Sequence, residues 1–408
     1  MSADSQFNMT TVALAAVVIL FSGCQQQNAT TREHNIHGSL TFQLNDTDEV
    51  VIPGHWRGDT LILHNTDEAL ILVPSDSSGN AWSVPVFDGT IALVNDTGYW
   101  KDNLRDGDYR VPVQWKACDE HEPATQWADD TLSWLLSFGN QDPWFGQLYL
   151  RQAGPLCRGS IATSTGDFRY LHGHIAETGD IRLQTFDGAH LFYFKGRLSA
   201  EGDIVDGLFL SGNHFSTPFV GTRNPDSMPG LANAPQAQWT GLPVTYSGVS
   251  IDGDSVWWSA KGAKGVHILS VMGSWCPNCM DEHRLLRELS ALHPNLTVHT
   301  LAFERGLTQN QGQERALRRL SRYAEQVGLD NGTSRWTTTL VGPASKTEAQ
   351  KALPFLDRVV SFPTTVVLRE GQEAPWIHSG FNGPAMGPAH ELEVARFVSA
   401  ISGPSGSR

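Results

Sequence analysis

Basic charge, long apolar runs and cofactor fingerprints are all in short supply in this chain. Lys and Arg total 29 against 43 Asp and Glu, a net charge of −14. A surface of that sign repels phosphates and anionic headgroups, so no nucleic acid and no anionic membrane surface is expected as the main partner. No stretch reaches the roughly 20 apolar residues that a membrane-spanning helix needs. The apolar run from Thr11 to Gly23 is too short. No Gly-x-Gly-x-x-Gly turn is present, which removes the usual nicotinamide and flavin sites and leaves no organic cofactor expected. Cysteine is sparse too, with five in 408 residues, so the position of each one carries weight.

What is present is ordinary globular material. A hydrophobic content of 40% with 39 Gly and 21 Pro fits two or three turn-rich domains. The apolar run ends in Leu20-Phe21-Ser22-Gly23-Cys24 and is followed by Gln25-Gln26-Gln27. This resembles a bacterial lipoprotein signal peptide over residues 1–23, with Cys24 lipidated as the mature N-terminus. An ordinary cleaved signal or an uncleaved apolar anchor are the alternatives, and all three export the chain to the periplasmic side. In that oxidising compartment Cys118 and Cys157 make an even pair that reads as a structural disulfide, the alternative being two free buried thiols.

Residues 38–224 read as short strands broken by turns. Ile181 to Phe186 alternates, reverses at Asp187-Gly188, returns through Leu191 to Lys195, and reverses again at Glu201-Gly202-Asp203 before Ile204 to Leu210. Gly and Asp at each reversal signal an antiparallel meander, so an all-β sandwich or up-and-down barrel is expected. Residues 225–239 hold three Pro, one Gly and one Asn without periodicity and read as a linker.

From residue 240 to 408 the texture changes to strands alternating with helices, the mark of an α/β sheet. Strands are expected at Val266–Met272, Leu296–Phe303, Thr337–Val341, Thr364–Leu368 and Trp376–His378, with helices after Cys276, over Gln313–Val327 and Lys346–Leu353, and at the end over Glu391–Ile401. The focus is Trp275-Cys276-Pro277-Asn278-Cys279, which follows the first of these strands. Two cysteines one helical turn apart, at a helix start whose amide groups favour a thiolate, are suited to redox chemistry. Pro277 suits the first helical position, where no N–H partner is lost.

That motif, together with Ser361-Phe362-Pro363-Thr364-Thr365 before a late strand, resembles the two active-site loops of the TlpA-like thiol:disulfide oxidoreductases, of thioredoxin fold. The likeness covers residues 240–408, and the turn His378–Pro384 shares it. It implies a cis peptide bond at Phe362-Pro363 beside the dithiol. It also implies that Cys276 attacks a substrate disulfide, that Cys279 resolves the mixed disulfide, and that Glu282 serves Cys279 as a base. Trp275, Pro277, Phe362 and Thr364 would form a platform for the substrate. Protein disulfides are the expected substrates, reduced with electrons from a membrane thiol donor. Where thioredoxin has a buried aspartate this chain has Ser270, and His283-Arg284 replaces the family's proline after the glutamate.

Other readings compete. Asp281 and Glu282 could merely complement the helix dipole in the first turn. A zinc site would need two ligands beyond Cys276 and Cys279, and with only His283 nearby no metal is expected. His172 and His174 share one strand face, a pattern more common for core or surface histidines than for a metal site. Trp257 and Trp258 are expected to pack. A thiol peroxidase would have threonine where Gly273 stands. A binding lipoprotein, with the β domain as its main function, is the non-enzymatic alternative.

Overall fold

The computed structural model describes residues 36–75, 79–105, 107–118, 127–128, 131–224, 234–329 and 335–403. The signal segment 1–23, Cys24 and residues 225–233 of the linker lie outside the described residues.

Alternation of apolar and polar side chains builds the first part. In Glu68–Pro74, for example, Leu70 and Leu72 point inward while Ala69, Ile71 and Val73 face outward. Eight such antiparallel strands follow one another in sequence order, and the first, Ile36–Gln43, closes on the last, Val111–Ala117, with Leu40 opposite Trp115. An eight-stranded ring has an interior that side chains can fill. Here Leu40, Phe42, Leu63, Leu72, Ile91 and Trp100 fill it.

A second ring follows. Thr131–Phe138 pairs with Trp144–Ala153 on one side and with Phe215–Arg223 on the other, and Trp144–Ala153 also pairs with Leu156–Thr163, so this sheet too returns on itself. Trp134, Phe138, Phe194, Phe209 and Phe219 pack its centre. The two-residue strand Gly166–Asp167 folds back on Ala162 and Thr163 and projects as a hairpin. Of the sandwich and barrel alternatives, the structure has the barrel, twice among the described residues. The two rings share an apolar cluster to which the second contributes Phe186, Leu191 and Leu210. Gln184 clamps them together, accepting from the Val51 amide at 3.0 Å and donating to the Val51 carbonyl at 2.7 Å.

The expected bridge between Cys118 and Cys157 is not formed. Cys157 is 1% exposed inside the second ring, whereas Cys118 is exposed beyond the last strand of the first. Cys157 belongs to a strand of the second ring, and Cys118 follows the last strand of the first.

The α/β module contains strands β1 (Thr245–Ser250), β2 (Ser255–Ser259), β3 (Val266–Met272), β4 (Leu296–Glu304), β5 (Trp336–Pro343), β6 (Thr364–Arg369) and β7 (Trp376–Ser379), in the spatial order β2-β1-β5-β4-β3-β6-β7. Strands β3, β4 and β5 run parallel, and β6 pairs antiparallel with β3. Helices α1 (Pro277–Leu292), α2 (Gly312–Val327), α3 (Lys346–Ala352) and α4 (Pro388–Ser402) complete it. The expected α/β architecture therefore holds for this module alone, and the described chain as a whole is mostly β. The described end of the linker packs on the module, with the Ala237 amide donating to Ser379 Oγ at 3.1 Å and Trp239 bridging to Leu356. Trp257, expected to pack, is 73% exposed. Among the described residues no helix is long and apolar enough to cross a membrane.

Candidate active site

Strand β3 is buried through Ile268–Met272 and delivers the chain to Gly273 at the edge of the sheet. A side chain at Gly273 would come within 2.2 Å of Trp275 Nε1 and 2.9 Å of the Phe303 carbonyl oxygen. Only glycine lets the Trp275 ring fold back and donate to that carbonyl, at 2.9 Å. The threonine of the peroxidase reading has no room here. Ser274 anchors the next step, its amide and hydroxyl both donating to Glu304, at 2.7 and 2.8 Å. Glu304 is fully buried and is also paired with Arg319 of α2, at 3.3 Å.

Cys276 caps α1, and its sulfur accepts from the Cys279 amide at 3.3 Å. Pro277 occupies the first turn, as its missing N–H allows. Cys276 and Cys279 are joined as a disulfide with their Cα atoms 5.3 Å apart. Cys276 is 5% exposed and Cys279 not at all, so attack from outside can reach only the first sulfur. The Phe362-Pro363 peptide bond is cis, and the Phe362 carbonyl oxygen lies 3.3 Å from Cys276 Sγ. The Phe362 ring meets Trp275 edge-on at 5.4 Å.

The expected platform thus divides. Trp275 and Phe362 are partly exposed, as is Asn278, while Pro277 and Thr364 are buried. Thr364 Oγ1 donates to the Ser361 carbonyl at 2.8 Å and Ser361 Oγ to the Pro363 carbonyl at 2.9 Å, so these hydroxyls hold the loop in shape.

Asp281 and Glu282 lie beyond the first turn of α1, and both are buried. Glu282 points into the module. It accepts from Ser270 Oγ at 2.5 Å and from the Thr365 hydroxyl, and Ser270 Oγ lies 3.1 Å from His283 Nε2. The His283 Nδ1 in turn meets the Tyr323 hydroxyl at 2.9 Å, so both ring nitrogens are engaged within this network. Burial pushes the Glu282 carboxyl up to about 7 despite its two hydroxyl donors, and burial holds His283 down to about 3. A carboxyl that titrates near neutrality, one helical turn beyond Cys279, can give or take a proton at working pH. Ser270 and Thr365 are the hydroxyls that orient this carboxylate.

Asp281 points the other way, at the barrels. Its carboxylate accepts from Arg169 Nε at 2.8 Å, and the same guanidinium grips Glu68 through two bonds of 2.9 and 2.8 Å. Arg284 adds a partly exposed contact to both acids, at 3.1 and 3.2 Å. One buried cluster therefore joins the first ring, the second ring and α1. Asp167 sits beside it, receiving the amides of Arg169 and Gly383, and burial together with the nearby Asp281 charge pushes its carboxyl up to about 7. Asn278, inside the Cys-x-x-Cys, donates to the Asp167 carbonyl at 3.2 Å. Phe87, on a first-ring turn, is buried in the apolar cluster that holds Met280 and both redox cysteines.

Sequence reasoning missed Ser274, Glu304, Arg169, Glu68 and Asp167. Each acquires its role from a partner distant in the chain, and none sits in a local pattern that could have signalled it.

No protein-family model matches this chain, and no curated protein matches its sequence. Several solved structures are similar over part of it, and they include thioredoxin-like thiol:disulfide oxidoreductases. A secreted Mycobacterium tuberculosis disulfide oxidoreductase homologous to Escherichia coli DsbE is 14% identical, covering 37% of this chain and 95% of its own, with a TM-score of 0.25. The thioredoxin domain of a Bacteroides vulgatus thiol-disulfide oxidoreductase is 16% identical over 40% of this chain and 99% of its own, at 0.26. StoA from Bacillus subtilis is 20% identical over 38% of this chain and 96% of its own, at 0.24.

Proposed function

We propose that this chain is a thiol:disulfide oxidoreductase of the TlpA-like type that reduces protein disulfides. The observation that carries the reading is the Cys276–Cys279 pair at the start of a buried helix, with Cys276 5% exposed beside the Phe362 carbonyl and Cys279 fully buried. In the reduced protein the Cys276 thiolate attacks a substrate sulfur, forming a mixed disulfide and releasing one substrate thiol. The Cys279 thiolate then attacks Cys276, releases the second substrate thiol and restores the internal disulfide. Glu282 takes the Cys279 proton in that step. Two electrons must return from outside, and a membrane thiol donor is the proposed source. The signal-like N-terminus supports export to the periplasmic side with a lipid anchor at Cys24.

The test is the reduction of insulin disulfides by wild type and by Cys276→Ser, together with the midpoint potential of the pair. A potential near thioredoxin's roughly −270 mV and complete loss of turnover in the variant support a reductase, whereas roughly −120 mV reverses the direction of electron flow. Unchanged turnover in the variant removes the dithiol from the function and favours the binding-lipoprotein reading. That second reading draws on the two rings, which form the larger part of the described chain.

A further inference from the structure

The barrels do more than stand beside the dithiol, because they supply side chains to cavities next to its loop. Two cavities lie near the Trp275–Asn278 stretch, one through Arg305, which stacks on Trp275, and the other through Asn278. One, of about 640 Å³, lies where all three parts of the molecule meet and is bounded by Arg105 and Tyr109 of the first ring, His190 and His214 of the second, and Arg305 and Leu307 after β4. The other, of about 390 Å³, is lined by Trp144, Phe168, Phe192 and Asn278. His190 belongs to both walls. Cys276 stands between Trp275, whose ring carries the Arg305 guanidinium at 4.6 Å, and Asn278, on the wall of the second cavity.

The two arms differ in chemistry. The first contains the guanidinium groups of Arg105 and Arg305 beside the Asp102 carboxylate. Arg105 stacks on Tyr109 at 4.2 Å and reaches the His214 ring at 3.2 Å, a ring that burial and the Arg105 charge hold below the ordinary histidine range and that therefore accepts. Arg305 has Asp102 as its nearest carboxylate, at 3.6 Å, longer than an ordinary hydrogen bond. The buried Glu304 in the same wall is committed to Ser274 and Arg319. This arm is therefore cationic on balance within a chain of net charge −14. The second arm is aromatic: Phe168 meets Phe192 edge-on at 4.9 Å and stacks parallel to Trp144 at 6.3 Å. Guanidinium groups bind carboxylates with directional, charge-assisted bonds, and aromatic walls take apolar rings.

We infer that the two arms select the substrate, favouring polypeptide disulfides that carry a carboxylate on one side of the cystine and an aromatic side chain on the other. The inference rests on the oxidoreductase reading and names the substrate class of that site. The chemistry remains an exchange: the Cys276 thiolate bonds to one peptide sulfur as the peptide S–S bond breaks and the departing thiolate takes a proton. Cys279 then frees the second peptide sulfur, leaving the internal disulfide and two peptide thiols, and an external dithiol supplies the two electrons for the next turnover.

The test uses the full-length protein with dithiothreitol as the electron source and short peptides closed by one internal disulfide. The peptides carry Glu and Phe in either order around the cystine, or Lys in place of Glu, or Ser in place of Phe, and insulin serves as a reference substrate. The expected result is a kcat/KM about tenfold higher for one Glu/Phe order than for its Lys/Phe counterpart, the ratio that one charge-assisted hydrogen bond supplies. In Arg105→Gln/Arg305→Gln that preference falls below threefold, while the Glu/Phe over Glu/Ser ratio remains. The fold of the variant is checked by its thermal midpoint, and Arg305→Lys, which keeps the charge, retains part of the preference. If wild type reduces insulin and all peptides at similar rates, or the double variant keeps the preference for Glu, the inference is overturned and the oxidoreductase reading stands. If neither insulin nor any peptide is reduced, both fall.

Discussion

Asp281 and Glu282 are neighbours on one helix and both are buried, at 3% and 0% exposure, yet they face opposite worlds. Asp281 turns toward the barrels and meets two guanidinium groups. Glu282 turns toward the sheet and meets only hydroxyls. A buried carboxylate gripped by arginine serves as a joint, while one held by neutral donors in a dry interior is left poised to change its protonation. The same residue chemistry thus provides assembly on one face of α1 and the proposed proton transfer on the other.

The comparison breaks most violently at Arg169. Arg169→Ala would leave Glu68 and Asp281 buried without their guanidinium, a change that typically costs about 3–5 kcal/mol. Chemical denaturation should show a midpoint shift of that size, and a loss below about 1 kcal/mol would mean that the cluster is not what joins the parts. On the other face, Glu282→Gln keeps the shape and removes the proposed base. Resolution of the mixed disulfide by Cys279 should slow by about a hundredfold, the lower end for a general base, seen as trapped mixed disulfide in rapid-quench gels. An unchanged resolution rate assigns the deprotonation elsewhere.

A pH series sharpens the contrast further. Burial raises the Glu282 carboxyl from its ordinary 4.5 to about 7, so the folded state holds a proton that the unfolded chain has already released. That contribution is complete below pH 4.5 and is lost as the pH rises through about 7. Asp167, raised to about 7 mainly by its burial, adds to the same decline. The difference in unfolding free energy between wild type and Glu282→Gln, measured from pH 4 to 8, should therefore fall as the pH rises, because Asp167 and the buried His283 act alike in both proteins. The smallest effect is expected from Arg284→Gln. The Arg284 side chain is 42% exposed, so water screens its contacts, and its removal should cost at most about 1 kcal/mol. A larger loss would show that Arg169 alone does not neutralise the cluster.

The Cys276–Cys279 pair was legible because its signals are local: an apolar strand, a glycine, two cysteines at one-turn spacing and a proline at the helix start. Strand β3 runs over the expected residues 266–272, and α2 spans Gly312–Val327 because Leu320 and Val327 recur at helical spacing on its buried face. Ring closure was not legible in the same way. A meander patterned for one sheet reads the same as one patterned for two, and the first ring is closed by pairs such as Gly38 with Ala117, far apart in the chain. The bridge expected between Cys118 and Cys157 failed for the same reason, since parity counts cysteines without locating them. Arg169 in a turn, with a backbone φ of 53°, looks like any surface arginine until the fold brings Glu68 and Asp281 to it.

The reach of Phe87 bears on how the protein can be cut for study. This side chain of the first ring is 4% exposed because it lies in the apolar core of the α/β module. A fragment trimmed to residues 240–408 would keep every residue of the dithiol motif and the cis-proline loop, but it would carry an apolar hole where Phe87 had been and an Asp281 stripped of Arg169. Excision would report on a damaged half-molecule, so the redox behaviour of the fragment is not a stand-in for that of the intact chain.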